Sequence, residues 1–355
     1  MAEVLVALFL MALGSIAILT MFPLGMFHMG QALKDDRTAQ SAAQADAFMR
    51  TYWRITAVEN GGGGEPFYTA LDYPDSKPDL GPAPTPTPPK NVPPPNTLPN
   101  IYGQTGPSYP VFVDPMGYAP IWSQNTLAHQ YWVGNQFYAR RSLNLNLQPT
   151  GPSPQRTCSL MDGFGFQDNG TPSASSGALE RELRYNWLWV LQRPDNTARS
   201  IATMTVVVFD KRAFQYAPQN AERAFVSQYP WLPPPFPVNG LYPATNANTI
   251  VMQPLTTSIS IPTGLGIPQV QKGGWIVDAT ILPPGSVFAA QGMRHAIFYR
   301  VVSVTDNPAN GTTDIELQTP IRRLDGTTGP YPGTLIHMAG VSEVFERPNL
   351  TPYDF

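Results

Sequence analysis

The chain has 355 residues, enough for one large domain or two ordinary ones with a sizeable core. Only 13% of the residues are charged and the net charge is −3, so the basic excess of a nucleic-acid-binding surface is missing. A single cysteine, Cys158, excludes an intramolecular disulfide and reads as an inert thiol. The 40 prolines and 29 glycines describe short elements joined by many rigid or tight connections.

The chain opens on MAEVLVALFLMALGSIAILTMFPLGMFHMGQALKDD, with no Asp, Glu, Lys or Arg from Val4 to Leu33. A run of this length exceeds the ~20 residues that cross a bilayer. A cleaved signal peptide has a basic start and a shorter apolar stretch, and neither is present here. One carboxylate, Glu3, stands at the head of the run. A carboxylate in apolar surroundings is costly unless it stays at an interface or is paired. Gly14 and Pro23 are the two weak points of the predicted helix, costing about 1 and 3 kcal/mol respectively in a helix interior. They predict local unwinding or a kink.

The next segment, KDDRTAQSAAQADAFMRTYWRITAVEN, lacks glycine and proline and is rich in helix formers. The helix should continue through it. Ala39, Ala42, Ala43 and Ala47 predict a small-residue face, with Phe48, Tyr52 and Ile55 following at helical spacing. The four glycines 61–64 predict the stop. A helix over 1–58 would be about 85 Å long at 1.5 Å per residue.

The remainder, 59–355, predicts a β-rich head. A proline-rich stretch, 74–99, can form neither helix nor central strand and predicts an extended surface strap. A second cluster, 229–237, mixes aromatics with prolines and predicts a packed loop. The alternating run 183–191 and the run 200–209, joined by Pro194-Asp195-Asn196, predict a hairpin. The runs 296–304 and 313–318, flanking DNPANG, predict another. Strands are also expected over 275–281 and 334–345, with weaker candidates at 110–113 and 137–143, and a short helix over 221–226. The fold class expected is α+β, a long N-terminal helix packed by its C-terminal half on an antiparallel β-sheet head with long Pro-rich loops.

Chemistry is sparse. The histidines 28, 129, 295 and 337 have no ligand spacing and read as surface or strand residues. No phosphate loop, dinucleotide motif or nucleophile elbow occurs. Asp306, Asn310 and Asp314, with Asn307, cluster near one turn and are weak candidates for Ca²⁺; Asp, Asn and Gly favour turns in any case. No cofactor and no enzyme activity are expected.

The N-terminal stretch, Glu3 followed by Val4, Leu5, Val6, Ala7, Leu8 and more aliphatics with Gly14 eleven residues on, resembles the type IV pilin and pseudopilin family, above all its minor-pilin pattern. The resemblance covers about the first 30 to 55 residues. Two residues precede Glu3, where the family has four mature residues behind a basic leader, and Pro23 falls later than in the commonest major pilins. The resemblance implies that Glu3 pairs with the N-terminal amine of a neighbouring subunit and sets register. It implies that Val4, Leu5, Val6, Leu8, Leu10 and Leu13 lie in a filament core, with Gly14 and Pro23 shaping the helix. The partners implied are copies of the chain in a helical filament, the pilus or secretion assembly machinery, and a bacterial inner membrane before assembly. The function expected is a structural subunit of a surface filament. The alternatives are a minor pseudopilin of a type II secretion system, acting in the periplasm, and a membrane-tethered enzyme or binding domain.

Overall fold

The computed structural model describes residues 2–54, 111–114, 139–141, 158–160, 184–192, 201–210, 222–226, 250–263, 270–282, 293–323 and 328–351. The glycine stop at 61–64, the strap 74–99, the cluster 229–237, Ile55 and His129 lie outside these residues. The first element is a helix, α1 (Ala2–Trp53). Its side chains are described in two main stretches, 3–15 and 21–53, either side of Ile16–Ile18.

Among the described residues fifteen strands follow: β1 (Val111–Val113), β2 (Ala139–Arg141), β3 (Tyr185–Gln192), β4 (Ala202–Asp210), β5 (Glu222–Val226), β6 (Val251–Met252), β7 (Ser258–Pro262), β8 (Trp275–Asp278), β9 (Ile281–Leu282), β10 (Met293–Arg294), β11 (Ile297–Asn307), β12 (Thr312–Leu317), β13 (Tyr331–Pro332), β14 (Thr334–Met338) and β15 (Val341–Leu350). The first large sheet has the order β15-β4-β3-β1-β2, antiparallel except for the parallel pair β1 and β2. The second has the order β5-β14-β8-β11-β12-β7 and is antiparallel throughout. Two short ribbons, β9 with β10 and β6 with β13, complete the set.

This arrangement corrects the expected fold class. The body is not a single antiparallel sheet leaning on a long helix. It is a β-rich body with its sheets layered on one another, and among the described residues α1 packs mainly on the first sheet, through β3, β4 and β15. The reason lies in the two-faced burial of β3 and β4. On β3, Tyr185, Trp187, Trp189 and Leu191 face the helix, while Leu188 and Val190 face the second sheet. Residues alternate between faces along a strand, so a strand buried at nearly every position needs a cover on both sides. Val277, Ala279, Ile336 and Met338 of the second sheet supply the other cover. A third core lies on the far side of that sheet, where Ile250, Met252 and Tyr331 close over Ile276, Tyr299 and Leu335.

The helix docks by its last third. Thr38, Ser41, Ala42, Ala45, Met49 and Trp53 are buried, a spacing of three and four residues that makes one face. Ala39, Ala43 and Ala47 are exposed, so the expected alanine face is rotated. Ala42 alone of that set is buried, and Phe48 and Tyr52 pack at the edge of the contact. The rotation is set by tryptophan. The Trp189 indole N–H donates to the Ala45 carbonyl at 2.9 Å, and its ring stacks on Phe48 with centroids 5.8 Å apart. Two hydroxyls on the buried face are satisfied within the helix, Thr38 by the Asp35 carbonyl and Ser41 by the Arg37 carbonyl.

Two other expectations change. Of the segment 221–226, Glu222–Val226 forms β5, not a helix, because it pairs in register with β14 and places Phe225 in the third core. The run 334–345 is not one strand. It breaks at Gly340, whose φ is +80°, and the chain passes there from the second sheet to the first. Both predicted hairpins form, as β3 with β4 and β11 with β12.

Candidate functional site

Side chains 4–15 and 21–33 of α1 have little to pack on. Val4, Leu5, Val6, Leu8, Leu10 and Leu13 are 54–67% exposed, and Phe9, Met11, Phe22, Leu24, Met26 and Phe27 are exposed as well. Consecutive helix positions point about 100° apart. Apolar side chains at 4, 5, 6, 8, 9, 10 and 11 therefore cover every side of the helix. A helix that is apolar all round is normally buried on all sides. Within this surface Ser15 satisfies its own hydroxyl by donating to the Met11 carbonyl at 2.9 Å.

Glu3 lies in the first turn of α1 and is exposed. An acid there complements the positive end of the helix dipole. Gly14 has open space where a Cβ would stand, so no packing within the chain requires a glycine. Pro23 lies inside α1, and the helix continues past both Gly14 and Pro23. Among the described residues no helix is long and apolar enough to cross a membrane.

The apolar surface ends at a charged junction. Lys34 reaches within 3.9 Å of the Asp210 carboxylate, which Arg184 holds by two hydrogen bonds, at 2.7 and 3.3 Å. Across the junction Arg300 lies 3.6 Å from Glu343. Burial pushes the Glu343 pKa up, against the pull of Arg300. At the other end of the docked segment Arg50 donates to the Pro348 carbonyl of β15 at 2.9 Å and pairs with Asp46 one turn back at 3.0 Å. The docked third of the helix is thus tied at both ends.

A second polar group is wholly interior. Asp278 sits at the end of β8 with no solvent exposure. One of its oxygens accepts from His295 Nδ1 and from the Tyr331 hydroxyl, each at 2.9 Å. The other accepts from the Thr280 hydroxyl and, at 3.0 Å, from the Thr280 amide. Burial alone would raise the Asp278 pKa, but the neighbouring His295 and the hydrogen bonds from His295 and Thr280 outweigh it and hold the carboxyl below its ordinary value. Burial pushes the Tyr299 and Tyr331 hydroxyls up, Tyr331 further because Asp278 stands beside it. An Asp–His pair suggests base chemistry, but both side chains are 0% exposed. No substrate reaches them, and the group works as a knot that ties β8, β13 and the approach to β11 together.

The cation candidates do not converge. Asp314 pairs with Thr305 and Asp306 with Thr313, at adjacent positions of the β11–β12 ladder. Adjacent positions face opposite sides of a sheet, so the two carboxylates cannot share an ion. Asp314 accepts from Ser260, Thr312 and Asn307, and Asp306 accepts from Thr313. Asn310 sits in the turn, where its amide donates to the Asn307 carbonyl. Among the described residues no three His, Cys, Asp or Glu side chains form a metal-binding group. Cys158 is buried, and desolvation together with Asp114 pushes its pKa up, away from a reactive thiolate. His28 is exposed beside Phe27 and His337 is partly buried.

From the sequence, His295 is a strand or surface residue with no role of its own. Its partners lie 17 residues away, at Asp278, and across the sheet, at Tyr331; no local spacing signals them. No protein-family model matches the chain, and no curated protein matches it.

Proposed function

We propose that this chain is the structural subunit of a pilin-like surface filament, which assembles by packing the apolar half of α1 against the same segment of neighbouring copies. The observation that carries the reading is the all-round apolar surface of residues 4–15 and 21–33, which the body leaves exposed. A soluble monomer rarely exposes a contiguous apolar patch beyond a few hundred Å². Completing the burial of one such side chain contributes about 1–2 kcal/mol. Sixteen large apolar side chains are exposed between Val4 and Leu33 among the described residues; their burial would be worth on the order of 20 kcal/mol. That exceeds the ~4–15 kcal/mol that association costs.

Before assembly, a membrane would be the apolar phase that shields the same surface. In the filament, Glu3 would meet a cationic group of a neighbour; a buried pair of this kind fixes register more than it adds stability. The body, tied to α1 at Lys34 and Arg50, would form the outer surface. No enzymatic reading is favoured by any group of side chains described above.

The test is electron microscopy of material sheared from cells, with mass spectrometry of the purified fibres. Fibres that contain this chain, and that disappear when Glu3→Lys is introduced, are the expected result. Sheared material that lacks the chain while the cell envelope retains it overturns the surface-filament reading.

A further inference from the structure

Where the two large sheets diverge, the layer between them opens into a cleft of about 430 Å³, within the usual ~300–1,000 Å³ of small-ligand sites. The walls follow from strand alternation. On β11, Ile297, Tyr299 and Val301 belong to the third core, while Phe298 packs into the layer between the sheets. Arg300, two residues on from Phe298, faces the same way. On the first sheet Val344 packs into that layer, and Glu346 follows on the same face beside its ladder partner Thr205. Thr205, Trp275, Phe298, Arg300, Gln318 and Glu346 all line the opening.

Two features narrow the ligand. Phe298 lines the opening with apolar ring surface, and the Arg300 guanidinium lies over the Trp275 ring, 6.0 Å from its centroid. The charges balance: Arg300 and Arg322 line the cleft, against Glu346 and against Glu343, which lies 3.6 Å from Arg300. A strong anion would be opposed by the glutamates and a strong cation by the arginines. A sugar ring carries apolar C–H faces and hydroxyls that both donate and accept, with no net charge. We propose that this cleft binds a neutral saccharide unit, with Phe298 against an apolar face of the ring, Arg300 donating and Glu346, Gln318 and Thr205 accepting. The site is independent of how α1 assembles.

The test uses the full chain held in a zwitterionic, sugar-free detergent, with its tryptophans labelled with ¹⁵N. Cellobiose, lactose and chitobiose are titrated to about 50 mM, well above a weak, millimolar Kd, with glycerol as the control polyol. The Trp275 indole resonance is assigned by its loss in Trp275→Phe. The expected result is a saturable shift of that resonance with at least one disaccharide and none with glycerol. Affinity should fall about tenfold in Arg300→Ala and in Glu346→Ala, whose side chains are exposed and whose removal leaves the core intact. No saturable shift with any of the three sugars overturns the proposal. So does a shift that keeps its full affinity in both variants, which would place the sugar elsewhere.

Discussion

His337 shows how a single side chain sets a pH dependence. It lies on β14 between its ladder partners Arg223 and Ile276. Burial lowers its pKa below the ordinary histidine value, so the folded protein favours the neutral ring. The unfolded chain binds the proton more readily, near pH 6.5. The contribution is therefore fully present above about pH 6.5 and is lost as the pH falls through that value towards the folded pKa. Thermal melts should show Tm falling as the pH drops below about 6.5, and His337→Gln should flatten that slope. An unchanged slope in the variant would place the titration elsewhere. Asp278 works in the other range, because its depressed pKa stabilises the fold until the pH falls below about 4, the ordinary aspartate value.

At the scale of elements, the hairpins were readable because both strands of each pair carry their own alternation. Leu188 and Val190 against Trp187 and Trp189 is a pattern that any register slip would invert. The presence of α1 was equally plain, from its composition. Its rotation was not. Ala39, Ala43 and Ala47 fall at a helical spacing of four, as plausible a face as the buried Ala42, Ala45 and Met49 at three and four. The choice between the two faces was made by Trp189, 144 residues away from Ala45 in sequence. That dependence is testable. Trp189→Phe keeps most of the packing and removes the bond to Ala45, and should cost about 1–2 kcal/mol. Trp189→Ala should cost about 3–5 kcal/mol. Denaturant midpoints, with helix content followed by circular dichroism, measure both; a Trp189→Phe variant as stable as the parent would mean that the indole N–H does not matter.

For the whole molecule, the decisive point is Gly340. The alternating pattern runs on from Thr334 to Phe345, so the sequence suggested one strand, and the glycine inside it was the only sign of the crossing. Its φ of +80° lies in the left-handed region, and an added Cβ would come within 3.2 Å of the Asp210 carbonyl. The Gly340 carbonyl accepts from the Asp210 amide at 2.8 Å. Gly340→Ala should destabilise the body by about 1–2 kcal/mol, lowering the denaturant midpoint in a single transition, since the same joint serves both sheets. Gly273 has a φ of +82° but open space around it, so Gly273→Ala should cost less. A Gly340 variant as stable as the parent would show that the crossing tolerates a side chain. The layering itself was out of reach of the sequence: apolar runs at β3 and β4 state that both faces are covered, but not by what.

The ties along α1 also have a mechanical meaning. From Thr38 to Trp53 the helix lies against β3, β4 and β15 over about 24 Å, with Lys34 and Arg50 bound at the two ends. A pull along the helix axis would load this contact in shear, with all of its side chains resisting together. A sideways pull would instead peel it open one turn at a time. A body hung on its helix in this way is strong along the axis and weak across it.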